Sequence, residues 1–202
     1  MTRIPITRLE TASPAAKALL DQIRERSLSP DTLLNLHAQM AHAPAVLASY
    51  LGVRRALEEL SSFDFKTRSA IMLTVSVADD ATYATAVNTV LAARAGWTPA
   101  QVERIRAGTF EEEEKLASLL EVVRQAARTI GHVEDAAWQA ALSAGWTDAE
   151  LAEAFASVAL TMMVDYFVHF AQTPLDVPGA RSESGVSRAS SSPSEVIARA
   201  RV

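Results

Sequence analysis

AGWTPAQV, residues 95–102, returns as AGWTDAEL at residues 144–151, an offset of 49 positions. Each copy reads as the end of one helix and the start of the next. A glycine ends the first helix and an aromatic follows. Thr98 or Thr147 then stands as N-cap with Gln101 or Glu150 three residues on, the capping-box arrangement. Four identical residues followed by matching cap chemistry predict an internal pseudo-repeat of helix–turn–helix units.

The helical reading extends in both directions. Residues 14–25 repeat apolar side chains at Ala15, Leu19, Leu20 and Ile23, a helical period. A second helix is expected from Ser29 as N-cap and Pro30 at the first position, carrying Leu33, Leu34, Leu36 and Met40 before Pro44. A third spans about Pro44 to Leu60. The segment from Asp64 to about Val77 is rich in β-branched residues that suit a strand, but the chain offers no partner strand, so it reads as a helix. Helices follow over Thr82–Arg94, from Thr98 to Gly108, from EEEE at 111–114 to about Ile130, and over about Val133–Ala144. The acidic run suits the positive end of its helix. The last, Asp148 to about Gln172, is apolar nearly all round, which predicts burial at the centre or at a subunit interface. Trp97 and Trp146 hold the same point in each repeat and are expected to plug the turns against the core. The fold class is all-α. Residues 179–193, rich in Ser, Gly and Arg, read as a flexible tail, so the chain divides into a domain over 1–178 and a tail over 179–202.

Composition narrows the function. Apolar residues make up 49%, enough for a sizeable core, and the net charge of −5 repels a phosphate backbone, so no nucleic acid is expected as partner. There are no cysteines, which excludes disulfides, thiolate catalysis, zinc–thiolate sites and iron–sulfur clusters. The N-terminal stretch lacks the apolar core of a signal peptide, and no apolar run is expected to reach the roughly 20 residues of a membrane span. A cytoplasmic protein without membrane contact is the expectation.

Residues 3–178 resemble the AhpD-like (alkylhydroperoxidase D, carboxymuconolactone decarboxylase) superfamily. RIPITRLETASPAAKALLDQIRE is similar to its amino-terminal lead and FKTRSAIMLTVSVADDATYATAVNTVLAARAGWT to its central motif region. AGWTDAELAEAFASVAL resembles the second half-repeat, and VDYFVHFAQTPLDVP the closing helix. The resemblance implies an antiparallel helical bundle that assembles as a homo-oligomer: trimer, hexamer or dimer. Its peroxidatic members carry a glutamate after an arginine, a C-x-x-C pair and a histidine four residues beyond. On this chain the arginine is Arg68, the glutamate position holds Ser69, the cysteine positions hold Ala81 and Ala84 beside Tyr83, and the histidine position holds Asn88. Without a nucleophile, a resolving thiol or a proton relay, dithiol peroxide reduction is ruled out. Ser69, Ala81, Tyr83, Ala84 and Asn88 are then expected to line a vacated pocket.

Three readings follow. In the first, the chain is a redox-inactive protein that binds a small molecule in that pocket or acts as an oligomeric scaffold. In the second it is a cofactor-independent lyase or isomerase of the decarboxylase kind. Its acid–base candidates are Asp165 and His169, four apart on one helical face, with Tyr83 or Asn88 as hydrogen-bonding groups. In the third it is a structural partner of an active paralogue. Two ligands alone rarely hold a metal and no third is identifiable, so neither metal nor cofactor is expected. Asp79 and Asp80 are expected to cap the motif helix. His37 and His42, five apart, do not align as ligands, and His132 is expected at the surface. Arg68 is expected to be partly buried against an acidic partner.

Overall fold

The computed structural model describes residues 2–25 and 33–177, and among these every regular element is helical. After a short 3-10 turn, α1 spans Pro14–Glu25, α2 Asn35–Met40, α3 Pro44–Leu60, α4 Phe65–Ala78 and α5 Thr82–Arg94. There follow α6 Pro99–Ala107, α7 Glu114–Arg128, α8 Asp135–Ser143 and α9 Asp148–Ala171. The expected Ser29–Pro30 helix start and the tail over 179–202 lie outside the described residues.

The repeat is physical. Gly96 and Gly145 adopt φ of 95° and 94°, a region that side chains rarely enter. Both capping boxes form, Thr98 with Gln101 and Thr147 with Glu150. The Trp97 indole N–H donates to the Lys66 carbonyl (3.0 Å), and that of Trp146 to the Lys115 carbonyl (2.6 Å). In each case the same lysine's ammonium sits over the indole, at 4.1 and 4.2 Å from the ring centre. Ser69 and Ser118 donate to those same carbonyls. Each indole also meets, edge to face, a phenylalanine preceding the other unit: Trp97 packs on Phe110, and Trp146 on Phe63. That exchange ties α4–α6 to α7–α9 around one core.

α9 runs through the centre, packed against α3, α4, α5 and α7. The expectation that no apolar run reaches a membrane span fails here. α9 has 24 residues and enough hydropathy to cross a bilayer by length and composition. Its role is nonetheless that of a core helix, because it buries Leu151, Val158, Leu160 and the carboxyl of Asp165 among its neighbours. Burial is not all round, since Phe155, Tyr166 and Phe170 stay 57–67% exposed on one face.

Two other boundaries move. Leu33 and Leu34 precede α2 rather than belonging to it, with Leu34 extended as N-cap. The acidic run mostly precedes α7, which starts at Glu114. Glu112 accepts from Gln101 (2.7 Å) and pairs with Arg104 (2.8 Å), fastening the loop to α6. α4 is helical despite its β-branched residues: Asp64 caps it by accepting from Thr67 N–H (2.7 Å), and Ser69 bonds back to its own helix.

Candidate functional site

Between α3, α4, α5 and α9, with Ile23 of α1 and Leu36 of α2 at its edge, lies a cavity of about 370 Å³. Its apolar wall includes Leu57, Met72, Val87, Leu91, Leu160 and Val164. Ala84 and Asn88, one turn apart on α5, face into it. Two of the vacated motif positions therefore border the cavity.

The other three do not line it. Ser69 is wholly buried, accepting from the Trp97 indole at 3.2 Å. Ala81 is the N-cap of α5 and is also wholly buried. Tyr83 points the other way. Its hydroxyl donates to Asp176 (2.7 Å) and accepts from Leu36 N–H (3.3 Å), while Asp176 also accepts from Asn35 N–H (2.6 Å). Tyr83 thus ties the start of α2 to the chain after α9. Burial and the Asp176 carboxylate push its phenol far above the ordinary range.

Behind the cavity wall a polar network runs inward from Asn88. Its Nδ2 donates to the Met72 carbonyl (3.2 Å) and to Ser76 Oγ (2.8 Å). The carbonyl can only accept, which fixes the amide's orientation. Ser76 in turn donates to Asp165 Oδ1 (3.1 Å). Asp165 is 0% exposed, and its Oδ2 and the Oδ2 of Asp79 are both buried with no donor from elsewhere. Two such acceptors are satisfied together if the carboxyls share one proton. Burial first, then the Asp79 charge, raises Asp165 to about 8, and burial also raises Asp79. Burial and mutual contact thus favour keeping one proton within the Asp79–Asp165 pair.

This arrangement corrects three expectations. Asp79 and Asp80 do not cap α5, whose N-cap is Ala81; Asp79 ends α4, and Asp80 takes a φ of 55° in the turn. Asp165 and His169 are placed apart in exposure, Asp165 enclosed and His169 exposed, and neither lines the cavity. Arg68 is half-buried as expected, but its Nη1 donates to the Phe63 carbonyl (2.7 Å) instead of meeting a carboxylate, and it borders the cavity. His132 is exposed. No group of three side chains suited to a metal occurs among the described residues.

Sequence reasoning passed over His37. It lines the cavity, 3.4 Å from the Tyr50 hydroxyl across a tilted ring contact. Burial first and the Arg54 charge second lower it to about 4, so it is neutral at physiological pH. Arg54 is held by Glu58 at 2.8 Å, an i,i+4 pair that was readable in the sequence. The His37–Tyr50 meeting joins two helices and has no local spacing to announce it.

No family model and no curated protein matches the chain. Solved structures do. A peroxidase-related protein with the alkylhydroperoxidase AhpD core from Ralstonia eutropha JMP134 superposes with a TM-score of 0.75 at 13% identity, covering 87% of this chain and 92% of that one. The chain has the AhpD-like fold. A second neighbour is the debrominase Bmp8, in complex with 2,3,4-tribromopyrrole as a variant with one cysteine replaced by alanine. It has a TM-score of 0.72 at 13% identity and covers 86% and 90% of the two chains. A third is a peroxidase-related protein from Silicibacter sp. TM1040, with a TM-score of 0.69 at 15% identity and coverage of 87% and 95%. At these identities the likeness concerns fold, and here that fold carries no cysteine.

Proposed function

We propose that this AhpD-like chain is a redox-inactive binding protein that takes an apolar small molecule into the cavity beside Ala84 and Asn88. The observation that carries the reading is the cavity itself. It is of ligand size, mostly apolar, and bordered by two positions from which ionisable chemistry is missing. The complex of Bmp8 with a halogenated pyrrole adds support, since a neighbour of this fold holds a small ring compound. The test is binding of the neutral fluorescent probe N-phenyl-1-naphthylamine. Ala84→Leu fills the cavity and abolishes binding, whereas His169→Ala leaves it intact. Binding unaffected by Ala84→Leu would sink the reading.

A second reading, the cofactor-independent lyase or isomerase, draws on one observation: the neutral imidazole of His37 faces the cavity next to the Tyr50 hydroxyl. The base in this version is His37 rather than His169, and His37→Gln removes turnover while probe binding persists. Assembly is a further part of the proposal. Phe155, Tyr166 and Phe170 form an exposed stripe along α9, and a helical stripe can meet its own copy across a two-fold axis. With Phe155 and Phe170 changed to Ser, light scattering on the eluted protein should show a smaller species than wild type. The absence of cysteine suits a reducing compartment such as the cytoplasm.

A further inference from the structure

The geometry points to a carboxylate-bearing ligand whose acid group is held at one end of the cavity by Arg68 and Arg94, with the Ser157 hydroxyl as a third donor. This inference rests on the binding reading above and names the class of ligand.

The first ground is charge. The chain is acidic overall, yet the cavity is lined by Arg54, Arg68 and Arg94 against the single carboxylate of Glu58. Glu58 is engaged with Arg54. Among the described residues neither Arg68 nor Arg94 forms an ion pair. Arg68 spends one N–H on the Phe63 carbonyl and keeps the rest of its fork.

The second ground is an orphan. Ser157 lines the cavity, is 1% exposed, and its Oγ has no hydrogen-bond partner. A buried hydroxyl without a partner is costly, and a ligand oxygen at this place would satisfy it.

The third ground is register. α9 runs alongside α4 in the same direction. Glu153 near its start accepts from Ser62 N–H and Oγ just ahead of α4, and Asp165 meets Ser76 near the end of α4. Ser157 therefore falls level with the first turns of α4, where Arg68 sits. α5 runs back along α4, with Asn88 beside Met72, so Arg94 at its end returns to the same level. Two guanidinium groups and one unpartnered hydroxyl of the cavity lining therefore stand at one level of the bundle. Leu36, Leu160 and Val164 belong to the wall that continues toward His37 and Tyr50. Guanidinium forks match the two oxygens of a carboxylate, and the long apolar wall fits an alkyl or aryl body.

The experiment uses the full chain with N-phenyl-1-naphthylamine bound, displaced in turn by decanoate, methyl decanoate and decyl phosphate. Wild type, Arg94→Gln, Arg68→Gln and Ser157→Ala are compared, each normalised to its own affinity for the probe. Decanoate is expected to displace the probe at a concentration about tenfold or more below that of methyl decanoate. Arg94→Gln, which breaks no contact within the fold, is expected to erase most of that preference. Equal displacement by acid and ester, or a preference untouched by Arg94→Gln, overturns the inference while the binding reading stands. Decyl phosphate displacing more tightly than decanoate overturns the choice of carboxylate. Failure of the probe to bind wild type overturns the binding reading and this inference with it.

Discussion

Replacing Asp165 with Asn tests the inner network through the pH dependence of stability. In the unfolded chain Asp165 titrates near its ordinary value of 3.8, whereas in the fold it holds its proton to about 8. Between those limits the folded state binds a proton that the unfolded state lacks, so stability falls as pH rises and levels off above 8. His37 acts in the opposite sense. Its folded value is about 4 against an ordinary 6.5, so the unfolded state binds the extra proton in that window and stability rises with pH. From about pH 4 to 6.5 the two slopes, each approaching ~1.4 kcal/mol per pH unit, largely cancel. Above pH 6.5 the slope comes mainly from the Asp165–Asp79 pair, and the loss from Asp165 between pH 6.5 and 8 amounts to ~1.5 kcal/mol. The lowered carboxyls Asp64, Glu150 and Glu153 complete their titration below this window. The groups facing Asp165 are Ser76 and Asp79, with the His169 charge acting on Asp79.

Asn at position 165 keeps an oxygen for Ser76 and offers Asp79 an N–H, without a titrating proton. The assay is guanidinium unfolding followed by tryptophan fluorescence at pH 5, 6.5 and 8, at one fixed protein concentration. Wild type is expected to be level between pH 5 and 6.5 and then to weaken. Asp165→Asn should lose the fall above pH 6.5. With the opposing slope gone, it should gain a rise of ~1.5 kcal/mol between pH 5 and 6.5 from His37. A wild-type stability that holds or rises from pH 6.5 to 8 would refute the proton-sharing pair. So would a fall that survives in Asp165→Asn.

The mirror variant, His37→Gln, removes the rising limb, and its stability should decline steadily from pH 5 to 8 in the same assay. Thr98→Ala and Thr147→Ala each break one side of a capping box and should each cost ~1 kcal/mol in unfolding free energy. The boxes share one geometry, so the two losses should be of the same order, with any excess at Thr147, whose partner Glu150 is a carboxylate where Gln101 is an amide. A large disparity would count against the repeat as an energetic unit.

The helices, their caps and the repeat were legible because they are written in local spacing. Gly, Thr and Gln or Glu stand at fixed offsets, and Thr82–Arg94 is bounded as its pattern indicates. The Lys66–Trp97 and Lys115–Trp146 stacks share the offset of 49, so the tertiary repeat was latent in the sequence repeat. The site was harder. Asp79 beside a helix start looked like a cap, because cap preference is a local rule and the carboxyl that claims it arrives from α9. Asp165 and His169 are close on the helical face by spacing, yet His169 lies toward the face that exposes Tyr166 and Phe170, while Asp165 lies toward that of the buried Val168. His37 was passed over since its partner, Tyr50, comes from another helix. Local rules find caps and periods, whereas the partners of buried polar groups are set by packing over long sequence separations.

Of the positions matched to the peroxidatic motif by resemblance, Ser69 and Asn88 hold structural hydrogen bonds in this chain. Ser69 is locked to the Lys66 carbonyl beneath the Trp97 indole, where its hydroxyl completes the same contact that Lys115 and Trp146 make in the second unit. Asn88 spends both amide protons on Met72 and Ser76, and so holds α5 against α4 and orients the donor to Asp165. A histidine there has no fork with which to bridge a carbonyl and a hydroxyl at once. Ala84 and Asn88 both border the cavity, and the methyl group of Ala84 leaves its space open. Ser69 and Asn88 thus stabilise the packing around α4, while the cavity that Asn88 borders has an apolar wall and three arginines. The polar groups lining the cavity are those of His37, Tyr50, Asn88, Ser157, Thr161, Glu58 and the three arginines, and under the proposed binding reading these are what a ligand would meet.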